Sequence, residues 1–305
     1  MSASSGNLLA DRRYAWGAGA LKDRDFEGAA DLFRQVIEIA PQWAPAHLAL
    51  GDALIALGDT AGAQIAWGEA GRLDASGVLG AALKIAALGA GTAPASAPRE
   101  YVRALFDEYA PRFDSHLREH LAYRGPELLL AAIERACDLT GREFWFDRAL
   151  DLGCGTGLMA AELWTRVDSM HGCDLSPVMI EGARLSGKYS GLRVADVGDY
   201  LASQGENSAD LVVAADVFVY IGDLEPLFAQ CARVVEPSGM FAFSVQRSEG
   251  AEWAVGPDLR YAHSRDYIAR LATQYGFDLT VVDDASTRKD AGVDVPGLVA
   301  VLARA

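Results

Sequence analysis

The sequence lacks most of the features that mark metal-binding, secreted, membrane and nucleic-acid-binding proteins. Its four cysteines, Cys137, Cys154, Cys173 and Cys231, show no C-x-x-C spacing, and only five histidines are present. That pattern argues against a zinc or disulfide framework, so reduced thiols, no metal site and a cytoplasmic location are expected. No run of lysine or arginine occurs, and 27 basic residues against 42 acidic ones give a net charge of −15. Such a surface repels a phosphate backbone, so a nucleic-acid partner is not expected. No stretch approaches the roughly 18 consecutive apolar residues of a membrane span. Ser76–Ala95 comes nearest, but it contains Lys84 and many small residues, and it reads as a packed helix. Met1–Asn7 has neither a basic segment nor an apolar one, so no secretion signal is expected.

What is present divides in two. At 305 residues the chain is long enough for two domains with separate cores. Near the front, Gly17, Ala29, Phe33, Val36 and Pro41 recur 34 positions later as Gly51, Ala63, Trp67, Ala70 and Ala75. Small residues at these places let paired helices approach, and the aromatic fills the gap to the next pair. The period and pattern resemble the tetratricopeptide repeat. Two repeats plus a capping helix over Gly77–Leu88 bury little surface by themselves, so they are expected to lean on the rest of the chain or on another subunit; added stability or a homodimer, and recognition of a partner protein or substrate, are both open. The expected division is helical repeats over 8–90, a small and proline-punctuated linker over 91–98, a helical lid over 99–145, and an α/β domain over 146–305.

The α/β domain carries the chemistry. Arg148–Gly157 is an apolar strand running into a turn with glycines at 153, 155 and 157, followed at once by a helical pattern. Ser169–Asp174 reads as the neighbouring strand, and its terminal carboxylate is suited to a ribose diol. A dinucleotide fingerprint needs G-x-G-x-x-G, but the third glycine falls one place early and Asp151 stands ahead of the first.

The run Asp151-Leu-Gly-Cys-Gly-Thr-Gly157 with Asp174, together with Gly191–Asp199, Asp210–Tyr220 and Val234–Val245, closely resembles the class I S-adenosylmethionine-dependent methyltransferases. The resemblance implies a Rossmann-like seven-stranded sheet whose last strand is antiparallel, inserted inside the sheet edge. It further implies that S-adenosylmethionine is held by Asp151, Gly153, Cys154, Gly155 and Gly157, by Asp174, Leu175 and Met179, and by Asp196 and Val197. Tyr109 and Arg124, from the helical stretch ahead of the sheet, are expected at the sulfonium and the methionyl carboxylate. Phe106, Tyr109, Phe113 and Leu117 share one helical face there, broken at Pro111. Asp216 and Tyr220, past the fourth strand, would face the methyl group and acceptor. His263 is the expected general base at the mouth of the site, if a base is needed, and Ser264 is the expected cap of the helix that follows. A small-molecule acceptor is expected, because no N/D-P-P-Y/F sequence follows the fourth strand. A protein acceptor docked on the repeats, and an interaction protein that binds the cofactor without turnover, are the alternatives.

Overall fold

The computed structural model describes residues 4–110, 122–290 and 292–305. The expected break at Pro111, and with it Phe113 and Leu117, lies outside these. The chain divides into two compact units, residues 1–101 with 257–259, and residues 102–256 with 260–305.

The first unit is made of helical hairpins. Helix α1 (Leu8–Lys22) pairs with α2 (Phe26–Ile39), and α3 (Ala44–Ala56) pairs with α4 (Thr60–Leu73). Asp25 and Asp59, 34 residues apart, are matching N-caps, accepting the Gly28 and Gly62 amides at 3.0 and 2.8 Å. The small-to-aromatic contacts form as expected. A Cβ on Gly17 would lie 2.8 Å from the Phe33 ring, and one on Gly51 would lie 2.3 Å from Trp67. Trp67 turns its indole N–H to the Asp52 carboxylate, 3.0 Å away, and Lys84 closes the other side of that carboxylate at 3.0 Å. The capping helix is shorter than expected. Helix α5 spans only Ala81–Ala87, because Gly80 takes a left-handed conformation and the residues before it form turns.

Along the chain, α6 (Arg99–Tyr109) is followed, after the undescribed stretch, by α7 (Gly125–Thr140). The sheet then alternates with helices: β1 (Phe146–Leu152), α8 (Leu158–Leu163), β2 (Val167–Asp174), α9 (Pro177–Leu185), β3 (Gly191–Val194), α10 (Val197–Ala202), β4 (Ala209–Ala214), α11 (Glu225–Val234) and β5 (Val235–Arg247). Two short strands, β6 (Trp253–Val255) and β7 (Tyr261–His263), precede α12 (Arg265–Gln274), capped as expected by the Ser264 hydroxyl. The chain closes with β8 (Phe277–Asp284), a small hairpin of β9 (Lys289–Asp290) and β10 (Val293–Asp294), and β11 (Gly297–Arg304). Strand order is β3-β2-β1-β4-β5-β11-β8, with β11 antiparallel to both neighbours and lying inside the edge. The insertion after β5 adds β6 and β7 to this sheet, so it has nine strands where seven were expected.

Alternation along the strands sends residues to two cores, one on each face. Val212, Phe241, Phe243, Leu298 and Ala300 pack with Phe228, Ile268 and Leu271 on one face. Leu211, Val213, Met240, Ala242, Val299 and Val301 pack with Leu129, Ile133 and Leu163 on the other. Because both faces are covered by helices, the central strands are buried along most of their length, β4 from end to end. The end of the sheet where β1 and β4 begin is pinned by Asp210, which pairs with Arg142 at 2.7 Å and accepts the Asp147 and Arg148 amides at 2.9 Å each.

Candidate active site at the carboxyl ends of the strands

Parallel β1, β2 and β4 bring three acids to one edge of the sheet. Asp151 is in β1, Asp174 ends β2, and Asp216 follows β4. Asp174 is 8% exposed, and its oxygens accept the Gly155 amide at 3.0 Å and the Ser176 amide at 2.8 Å. Burial raises its pKa, opposed by those two amides. Each oxygen keeps lone-pair capacity for a further donor.

Asp151 is 1% exposed, and its Oδ2 accepts the Tyr189 hydroxyl at 2.6 Å. Burial pushes its pKa up to about 7, against the Tyr189 hydrogen bond and with help from the Asp174 charge. Among the described residues no basic side chain pairs with Asp151 or Asp174. Two buried carboxylates without a counter-cation are costly unless a ligand supplies hydrogen-bond donors or positive charge.

Tyr189 is the residue that sequence reasoning missed. It stands between α9 and β3, in no recognisable motif, and only the fold carries it to Asp151. The glycines make room for it. A Cβ on Gly157 would come within 3.1 Å of its ring, and one on Gly172 within 2.9 Å. Gly153, at φ +63°, faces Val217 at 2.6 Å in the same sense. The glycine turn therefore clears space for neighbouring side chains, while its Gly155 amide is engaged by Asp174.

Other expected site residues are distributed unevenly. Asp196 caps α10, accepting the Gly198 amide at 2.9 Å, and Val197 is buried behind it. Cys154 is buried, with burial raising its pKa far above the ordinary thiol range, so it is a packed and inert thiol. Leu175 is half-buried, whereas Met179 is fully buried under α9 and presents no open surface to a ligand. Tyr109 is half-buried at the end of α6. Two residues earlier, Asp107 accepts the Ser176 hydroxyl at 2.6 Å, which ties α6 to the loop beside Asp174. Tyr220 meets Phe106 edge-on at 5.5 Å, and the Arg260 guanidinium lies 5.8 Å from the Tyr220 ring centre.

Asp216 does not stand alone. It adopts φ +60°, donates its amide to the Ser244 hydroxyl at 2.9 Å, and pairs with Arg288 at 3.0 Å. Arg288 is 5% exposed. It comes from the segment between β8 and β9.

The expectation for His263 is corrected by the structure. His263 is fully buried in β7, and its Nε2–H faces the Ile221 and Gly222 carbonyls at 2.9 and 3.0 Å. Burial lowers its pKa to about 4, so it is neutral and sits away from the mouth. No described cluster of three or more His, Cys, Asp or Glu side chains could hold a metal ion, and no described helix is long and apolar enough to cross a membrane.

Strand order and strand directions define a class of architecture, a Rossmann-like α/β domain that follows helical hairpins in the chain. Residues 150–243 match the methyltransferase domain family, and residues 20–67 match the tetratricopeptide repeat family. Among curated relatives, the ubiquinone biosynthesis O-methyltransferase of Chelativorans sp. (strain BNC1) is 33% identical over 33% of this chain and 41% of its own length. That of Xanthomonas oryzae pv. oryzae (strain PXO99A) is 30% identical over 41% of this chain and 51% of its own. The chain thus spans about half the length of the curated relatives it matches. Among solved structures, the N-methyltransferase NodS from Bradyrhizobium japonicum WM9, with S-adenosylhomocysteine, aligns at TM-score 0.51 and 14% identity, over 67% of this chain and 98% of that one. A complex of the Trm112 methyltransferase activator with a methyltransferase from Haloferax volcanii aligns at TM-score 0.52 and 20% identity, over 66% of this chain and 96% of that one. These structural likenesses establish the fold.

Proposed function

We propose that the sheet unit is an S-adenosylmethionine-dependent methyltransferase acting on a small organic acceptor. The observation that carries this reading is the pair of buried carboxylates, Asp151 and Asp174, with no basic partner among the described residues. A ligand bearing a ribose diol, an ammonium and a sulfonium fits that pair, since it brings both donors and positive charge. The methyltransferase domain match and the O-methyltransferase relatives support the same reading.

Asp174 would accept the ribose hydroxyls, with its rotamer fixed by the Gly155 and Ser176 amides. Asp151, steadied by Tyr189, would face the ammonium. Asp196 and Val197 would meet the adenine edge from the start of α10. Bound S-adenosylmethionine supplies an electrophilic methyl on a positively charged sulfur. The protein's part is to hold donor and acceptor in line and to exclude water, which strengthens the fields within the site. Asp216, shared with Arg288, and Tyr220 would position the acceptor. No general base is assigned, because His263 is buried.

Calorimetry with S-adenosylhomocysteine tests the reading. Binding to the full chain with loss in Asp174→Ala is expected, and unaltered affinity in that variant removes the assignment. A tritiated-methyl screen of cell extract, fractionated into small molecules and proteins, then separates the acceptors. The tetratricopeptide match favours a second reading, a protein acceptor docked on the repeats, and label confined to the protein fraction would favour it. Cofactor binding without label in either fraction would point to a binding protein that does not turn over.

A further inference from the structure

We propose that the methyl acceptor is an anion, and that its carboxylate or phosphate docks in a recess between the start of α7 and the β9–β10 hairpin. The inference rests on the methyltransferase reading above and names the acceptor class for it.

The recess has a volume of about 310 Å³, and Arg124, Arg288, Lys289 and Asp294 line it together with Leu128 and Ala285. Three cationic side chains at one place run against the average of a chain whose net charge is −15. They come from two segments clamped together, since the Arg124 amide donates to the Thr287 carbonyl at 2.8 Å. Two of the cations have acidic partners. Arg288 bridges to both oxygens of Asp216, at 3.2 and 3.0 Å. Lys289 lies 4.0 Å from Asp294, and both side chains are well exposed, so that pair contributes little. Arg124 is different. Its side chain is exposed, and among the described residues its guanidinium makes no ion pair. Among the described residues the recess is therefore left with one positive charge that no acid pairs.

The uncapped start of α7 adds to the same field, because Arg124 makes no side-chain cap to this 16-residue helix. A planar anion accepting from Arg124 and Lys289 would complete the charge balance. Leu128 and Ala285 give the rest of a small acceptor an apolar wall. Through Arg288 the recess is one ion pair from Asp216, at the end of β4, so an acceptor anchored there would sit beside the carboxyl edge of the sheet. Its size suits a small acid and not a polymer.

The test uses the full chain, with and without saturating S-adenosylhomocysteine, titrated by calorimetry with benzoate, benzamide and inorganic phosphate. An anion should bind while neutral benzamide binds at least about tenfold more weakly, as loss of a charge-assisted hydrogen-bonded pair predicts. Arg124→Ala and Lys289→Ala should each weaken anion binding about fivefold or more, and in Lys289→Ala, which lies outside the expected cofactor contacts, S-adenosylhomocysteine affinity should stay within about twofold, which also reports intact folding. Benzoate above phosphate supports a carboxylate acceptor, and the reverse order supports a phosphorylated one. Equal binding of benzoate and benzamide, no binding of either anion, or anion binding unaffected by both substitutions would overturn the proposal. So would Arg124→Ala weakening S-adenosylhomocysteine alone, since the recess would then serve the cofactor's own carboxylate. Failure of S-adenosylhomocysteine to bind the unaltered chain removes the methyltransferase reading instead, and the titration without it still reads the recess.

Discussion

The two units use the same packing device for different ends. In the helical hairpins, Gly17 and Gly51 give up their side chains so that Phe33 and Trp67 can fill the space. In the sheet unit, Gly157 and Gly172 do so for Tyr189, and Gly153 for Val217. The hairpin glycines contribute packing alone. Those of the sheet unit also order two acids, because Tyr189 reaches Asp151 beside them and the Gly155 amide holds Asp174. A glycine in a motif is therefore weak evidence of ligand contact until its neighbours are known.

That comparison can be broken in several ways. The largest effect is expected from Asp174→Ala, which removes the diol acceptor and leaves the Gly155 and Ser176 amides without a partner. S-adenosylhomocysteine affinity should fall by about 100-fold or more in calorimetry, as loss of two hydrogen bonds to a charged group predicts. Gly157→Ala meets a left-handed backbone as well as the Tyr189 ring, so affinity and stability should fall together. An unchanged affinity with lowered stability would mean that this glycine only packs.

Gly51→Ala should lower the stability of the helical unit by about 1–3 kcal/mol through overpacking against Trp67, read by tryptophan fluorescence during denaturation. Unchanged S-adenosylhomocysteine affinity in that variant would confirm that the hairpin glycine acts on packing alone.

A fourth test uses pH. Asp151 has a raised pKa of about 7, so it is mostly protonated below that pH and charged above it. Affinity for the ammonium-bearing S-adenosylhomocysteine should therefore rise as pH increases toward 7, and Asp151→Asn should flatten the profile. In the ligand-free protein the sign is opposite for stability. The folded state holds more protons than the unfolded one between about 4 and 7, so Asp151 makes stability fall as pH rises through that window. Tyr189→Phe, which removes the hydrogen bond favouring the charged carboxylate, should move the affinity profile upward in pH.

The smallest effect is expected at His263. Its pKa, lowered to about 4, means that the folded state binds fewer protons than the unfolded one between about 4 and 6.5. Its contribution to stability is present above about 6.5 and is lost as pH falls toward 4. His263→Gln should flatten that acid limb in thermal unfolding without weakening S-adenosylhomocysteine binding. A selective loss of cofactor affinity would contradict its purely structural placement.

Much of the fold was legible because periodic physics leaves periodic residues. Asp25 and Asp59, or Phe33 and Trp67, can be recognised one from the other at a fixed spacing. The strand-turn-helix around Gly153 and the acid closing β2 were legible for a related reason, since turn chemistry and strand ends are local. Legibility ended where a residue matters through a distant contact. Nothing near Arg288 in sequence predicts its pairing with Asp216, and nothing near Tyr189 predicts Asp151. Conversely, His263 has the chemical character of a base, but β7 buries it.

By itself, then, the order of residues determined the repeat, the alternation of strands and helices, and which acids end which strands, because all of these follow from short-range geometry and side-chain periodicity. The tertiary structure alone decided which charges find partners. It paired Asp216 with Arg288, left Asp151 and Asp174 without a cation among the described residues, and gathered Arg124 and Lys289 at one recess. Burial and long-range pairing, which set the cost of a charge, exist only once the chain has closed on itself.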